Sequence, residues 1–151
     1  MEKGLAIITG ADGGMGQVIT AALAKEGYPV IMACLDPEKA ASLCNRIQQE
    51  TGNTQIEVRR IDLASLSSVN NFTGQLLKEG RPVSRLMNNA GICHREPFLE
   101  CSKEGWLDVM ATNLNGEFYV GQAVARTMVE LGVKGYIVNT SSNSSRKTIG
   151  G

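Results

Sequence analysis

The stretch TGADGGMG, from Thr9 to Gly16, decides how this chain is read. It joins an apolar run, Leu5, Ala6, Ile7 and Ile8, to a segment whose apolar residues recur at helical spacing. Met15, Val18, Ile19, Ala22 and Leu23 follow the i, i+3, i+4, i+7, i+8 pattern, which places them on the core face of a helix. Glycines here permit a sharp turn, leave room for an approaching anion, and let helix pack closely on strand. The helix start then presents unpaired N–H groups and the positive end of its dipole, a cradle for a pyrophosphate. A plain strand–turn–helix linker has the same outline, and such a pattern arises by chance about one time in a hundred. A second signal is required.

Bulk properties narrow the field. The 151 residues suffice for one domain with a sizeable core. Lys and Arg total 15 and so do Asp and Glu, so no basic field recruits nucleic acid or anionic lipid. No apolar run approaches the ~18 residues of a membrane span, and no signal-peptide pattern opens the chain, so a cytoplasmic protein is expected. The four cysteines, Cys34, Cys44, Cys93 and Cys101, show neither CxxC spacing nor disulfide-scaffold density. Cys93, His94 and Cys101 lack a fourth ligand at a useful spacing, so no metal site is expected.

Strand-like and helix-like segments alternate along the chain. Strands are expected at 5–9, 29–34, 56–61, 85–87 and 136–140. The first helix stops before Gly27. Asp36-Pro37-Glu38 opens the second with a capping carboxylate and a first-turn proline, and Gly52-Asn53 closes it. Leu66, Val69, Phe72, Leu76 and Leu77 mark one side of a third, with Gly80 beyond its end. A long helical region spans 103–130, with a break expected near 113–116, and a polar tail follows the fifth strand. Right-handed crossovers of this length imply an α/β fold, a Rossmann-like doubly wound parallel sheet of order 3-2-1-4-5 with helices on both faces. The ligand crevice then lies between strands one and four, beyond their carboxyl ends. Asn88-Asn89-Ala90-Gly91 follows strand four at that crevice, which supplies the second signal.

These residues carry a family resemblance. TGADGGMG, Asp62-Leu63 after strand three, Asn88-Asn89-Ala90-Gly91, Asn113-Leu114-Asn115-Gly116 and Ile137-Val138-Asn139-Thr140-Ser141-Ser142 resemble the short-chain dehydrogenase/reductase family, in its order and at its spacings, over essentially the whole chain. The resemblance implies an NAD(P)-dependent oxidoreductase that moves hydride between a nicotinamide and an alcohol or carbonyl compound. It makes Gly10, Gly14 and Gly16 the cofactor-turn glycines, with Asp12, Gly13 and Met15 lining the turn. Asp62 would face the adenine amino group with Leu63 adjacent; capping of the next helix is the competing role for Asp62. Asn89, Ala90 and Gly91 would run past the cofactor ribose. Ser142 matches the catalytic serine that holds the reacting oxygen, with Ser141 a near competitor. Asn113 matches the asparagine that breaks a helix and places a water in the proton relay; a simple kink is its alternative.

The family's general acid/base is a tyrosine about thirteen residues past the serine, with a lysine four residues further on. Counted from Ser142 these fall near positions 155 and 159, past Gly151, so residues 1–151 are expected to be the dinucleotide-binding part of a single domain of about 250 residues, incomplete at the C-terminal side. A non-catalytic dinucleotide-binding or redox-sensing module is the alternative. At the end of strand two stand Leu35 and Asp36, with no positive charge there or in the glycine turn, which favours NAD over NADP. Asp36 has two equal readings, ribose ligand and helix cap. The segment 92–102, with His94, Arg95, Phe98 and Cys101, is expected to edge the substrate mouth, His94 as a surface residue. The resemblance also suggests a homodimer or homotetramer joined through the helices between residues 103 and 130.

Overall fold

The structure, a computed structural model, describes residues 3–142. Five strands, β1 (Leu5–Thr9), β2 (Val30–Cys34), β3 (Ile56–Arg60), β4 (Val83–Asn88) and β5 (Tyr136–Asn139), form one sheet. Its order is β3-β2-β1-β4-β5 and every neighbouring pair is parallel. The connections carry α1 (Gly14–Lys25), α2 (Pro37–Thr51), α3 (Leu66–Glu79), α4 (Lys103–Met110) and α5 (Glu117–Glu130). The expected doubly wound architecture is the one observed. Residues 143–151, where the polar tail lies, fall outside the described residues.

Alternation along β1 divides the core in two. Leu5 and Ile7 join Val69, Phe72 and Leu76 of α3 and Val120 and Val124 of α5 on one face. Ala6 and Ile8 join Ala24 of α1 and Ala40, Cys44 and Ile47 of α2 on the other. Successive side chains of a strand point to opposite faces, so a central strand covered by helices on both sides must be apolar throughout. Every residue of β1 and of β2 is buried, whereas β3, at the edge, keeps only Ile56 buried. Local signals set the helix ends. The Asp36 side chain accepts from Lys39 N ahead of Pro37, and Gly52 closes α2 at φ +70°. Ser65 caps α3 through Ser68 N.

Three expectations need correction. Strand four is longer than 85–87 because Leu5 N donates to Pro82 O at 2.8 Å and Leu5 pairs with Val83, which starts the ladder early. Met15 and Val18 are not on the buried face of α1: they are 56% and 66% exposed, while Gly16, Thr20 and Ala24 face the sheet. Small residues at i, i+4 and i+8 let this helix approach the sheet more closely than a stripe of large side chains would. Thr20 hides its hydroxyl by donating to Gly16 O at 2.8 Å. Leu66 and Leu77 of α3 likewise point outward, beside the buried row Val69, Phe72, Thr73 and Leu76. The break expected near 113–116 is a π-helical turn, Ala111–Gly116, set between α4 and α5. No helix among the described residues is long and apolar enough to cross a membrane.

Leu86 is wholly buried in the core beneath α5 and Val18 is largely exposed. Leu86→Ala should therefore cost about 2–5 kcal/mol of unfolding free energy. Val18→Ala should stay within about 0.5 kcal/mol, as surface substitutions do. Urea denaturation of the two variants checks the orientation of α1; the reverse ranking would contradict it.

Candidate coenzyme site

The site grows from a hydrogen-bond knot between β1 and β4. Thr9 Oγ1 accepts from the backbone N–H of Asn89 at 3.0 Å and of Ala90 at 3.1 Å. Asn89 Nδ2 also donates to Thr9 O and Gly10 O, each at 3.2 Å. Four bonds, all donated from the Asn89–Ala90 side, hold the glycine turn against the end of β4. Gly10 must be glycine on two counts: its φ is +60°, and a Cβ would sit 2.8 Å from Ala90 Cα. At Gly16 a Cβ would strike Gly10 O and Ala11 Cα, so this glycine lets α1 close against the turn.

Gly14 differs from both, because a Cβ there would meet nothing within 4 Å. It projects instead into a cleft of about 690 Å³ that opens along the carboxyl ends of the sheet. Gly14, Met15 and Gly16 precede the first helical bond of α1, Gln17 N to Gly13 O at 3.0 Å. Their amides belong to the orphan donors of a helix start, and α1 carries neither a capping side chain nor an acidic residue in its first turn. An anion-binding N-terminus left uncapped beside an open cleft suits a phosphate group.

Most of the expected residues converge on this cleft. Gly10, Asp12, Gly13, Gly14 and Met15 line it from the turn and Leu35 from beyond β2. Asp62 and Leu63 line it from beyond β3, and Asn89, Ala90 and Gly91 from beyond β4. Asp62 is not the cap of α3, which is Ser65. Its Oδ1 accepts from Ala64 N at 3.0 Å, a local turn that leaves the residue on the cleft wall. Gly16 lies beneath the turn, and Asp36 is also off the wall. Asp36 accepts from Lys39 N at 3.3 Å and pairs with Lys39 Nζ at 3.1 Å, so the capping reading holds in this structure. Those Lys39 contacts keep its carboxyl below the usual carboxylate range.

Asn113 sits in the π-helical turn and acts as a clamp. Its Oδ1 accepts from Ile92 N and its Nδ2 donates to Ile92 O, both at 2.8 Å. The carboxamide thereby fastens the chain leaving Gly91 to the break in the long helix. Ser142 lies three residues past β5, exposed and outside the cleft lining. In the expected substrate-mouth segment, His94 Nε2 lies 2.8 Å from Asp108 Oδ2, an exposed pair between that segment and α4. Sequence reasoning missed Thr9, Asp108 and Thr112. Thr9 had a signal, since it opens the glycine stretch; Asp108 and Thr112 reach the cleft wall only through the fold.

Several buried polar atoms lie nearby. Asn88 Oδ1, Asn89 Oδ1 and Glu117 Oε1 have no protein partner among the described residues. Burial pushes the Glu117 carboxyl up. Burial, and next the neighbouring Asp12 carboxylate, push the Cys34 thiol up to about 12. A second groove, of about 850 Å³, lies at the amino ends of the strands, where Arg85 stacks 4.1 Å over Tyr28. It has no glycine turn, and ligands of doubly wound sheets bind at the opposite end.

Comparison with known proteins agrees with this geometry. The short chain dehydrogenase family model matches residues 4–151. The chain belongs to that family. It is 35% identical over 140 residues to gluconate 5-dehydrogenase of Gluconobacter oxydans (strain 621H), covering 93% of this chain and 54% of that protein. Among solved structures, a short-chain type dehydrogenase/reductase from Mycobacterium marinum superposes with a TM-score of 0.90 at 28% identity, covering 99% of this chain and 60% of the other. A metagenomic short-chain oxidoreductase in complex with NADP gives 0.87 at 26% identity, with coverages of 98% and 66%. The chain spans about half the length of the curated relatives it matches. The open space at Gly14 and the uncapped start of α1 leave room and free donors for an anionic group.

Three outcomes test the local geometry. Thr9→Val removes the acceptor of two half-buried amides and should destabilise the fold by about 1–3 kcal/mol, read by thermal unfolding. Cys93 and Cys101 are exposed and Cys34 and Cys44 buried, so a thiol reagent at pH 8 should modify the first pair at once and the second only on unfolding. The Cys34 contribution to stability should be intact below its ordinary 9.0 and fall as pH rises towards about 12, because the unfolded thiol ionises first. Cys34→Ser should flatten that alkaline decline.

Proposed function

We propose that this chain supplies the coenzyme half of an oxidoreductase that moves hydride between a nicotinamide dinucleotide and an alcohol or carbonyl compound. The observation that carries this reading is the cleft itself, with its cradle at Gly14 opposite Asn89 at the switch point of the sheet. The coenzyme, when bound, supplies the hydride chemistry, and the protein binds and orients it. Amides at the start of α1 would take the pyrophosphate, Asp62 the adenine amino group, and the 89–91 segment the ribose. Ser142 would hold the reacting oxygen of the substrate. Asn113 would support proton transfer by holding the broken helix in place, since its own carboxamide is spent on Ile92.

NAD is the proposed coenzyme. Among the described residues, the side chains lining the cleft include Asp12, Asp62 and Asp108 and no lysine or arginine, a poor setting for a 2′-phosphate. A second copy of the chain is the proposed partner, docked through α4 and α5. Trp106, Leu107 and Phe118 are each more than half exposed on those helices, and Val129 is 81% exposed.

Calorimetric titration with NADH should show binding, and Gly14→Val should weaken it at least tenfold (about 1.4 kcal/mol). The thermal midpoint of Gly14→Val should match the parent, because its side chain enters open space. Equal affinity in the variant would remove the pyrophosphate from this turn.

A further inference from the structure

Dinucleotide folds choose between the two coenzymes with a side chain just past the second strand, a carboxylate for ribose hydroxyls or an arginine for a 2′-phosphate. This chain has neither in service there. Leu35 lines the cleft but offers only carbon. Asp36 is engaged with Lys39 through both backbone and side chain and lies off the cleft wall. The neighbouring cations are committed as well: Lys39 to Asp36, and Arg46 to Gln17 at 2.8 Å and to Glu50 at 3.8 Å.

One carboxylate does reach the wall at this end. Asp12 lies on the glycine turn, exposed on the cleft beside Gly13. Gly10 N donates to Ala33 O at 2.9 Å, so the turn is tied to the end of β2. Ala33 and Leu35 line the same cleft, so the Asp12 carboxylate stands on the wall where a ribose-binding acid is needed.

We propose that Asp12 is the group that accepts the adenosine ribose hydroxyls and repels a 2′-phosphate, in the place usually held by a residue after the second strand. The proposal rests on the reading of this cleft as a nicotinamide dinucleotide site. Asp12 is a specificity-determining residue. Repulsion is strongest where no compensating cation lines the wall, and among the described residues none does.

The test is a matrix of dissociation constants for NADH and NADPH, measured by coenzyme fluorescence on the parent protein, Asp12→Asn and Asp36→Asn. The parent should prefer NADH by at least tenfold. Asp12→Asn should shrink that preference at least tenfold, and Asp36→Asn should leave it unchanged. Thermal unfolding of each variant separates misfolding from lost contacts, and Asp12→Ser replaces Asp12→Asn if the latter does not fold. Binding of neither coenzyme to the parent defeats the reading of the cleft itself. A parent that prefers NADPH, or a preference that follows Asp36 and ignores Asp12, leaves the cleft intact and overturns the assignment of Asp12.

Discussion

Everything at the carboxyl edge of the sheet depends on the hydrogen bonds that the Asn89–Ala90 segment donates to Thr9 and Gly10. Two strands that pair in parallel diverge at their ends, because their connections leave towards opposite faces. That divergence makes a crevice, but it also exposes backbone groups that would otherwise cost free energy. Here the Thr9 hydroxyl accepts two amides and the Asn89 carboxamide donates to two carbonyls. The donors of one segment thus meet the acceptors of the other and brace the crevice wall.

The knot explains why the glycines differ in kind. Gly10 and Gly16 are small because protein atoms press on them, and their replacement is resisted by the fold. Gly14 is small where no protein atom presses, so its constraint points outward, to something that enters the cleft. An uncapped helix start is tolerated for the same reason. A serine or aspartate cap would satisfy the helix alone and compete for the donors that an anion needs.

How much of this was legible in the sequence varied with the physics involved. Alternation of long apolar strands with capped helices dictates the sheet order, since few other arrangements bury both faces of β1 and β2. Glycine and asparagine at strand ends announced the cleft, because their use there is local chemistry. The face of α1 was misread because hydrophobicity was taken as burial. Thr20 is buried and Val18 is not, a choice made by how closely Gly16 lets the helix approach. Asp36 could not be resolved from sequence either: capping and ribose binding need the same residue at the same place. Asp108 and Thr112 were harder still, because their position on the cleft wall comes from the packing of segments distant in the chain.

The π-helical turn extends the same constraint to the far wall of the cleft. A π turn leaves the regular helical bonding pattern, and such turns recur at functional sites. At Gly116 a side chain would strike Leu63, so the helix is drawn against the chain beyond β3. At Asn113 the carboxamide grips both backbone groups of Ile92, so the chain beyond β4 is drawn against the helix. Segments that carry Asp62 and Asn89 are thus fixed to one irregular turn from two sides. A regular helix from 103 to 130 would rotate the residues after the break by a different angle and lose one of these contacts. The break is therefore a fitting element: it lets a single helical region serve two loops of the cleft whose spacing the sheet has already set.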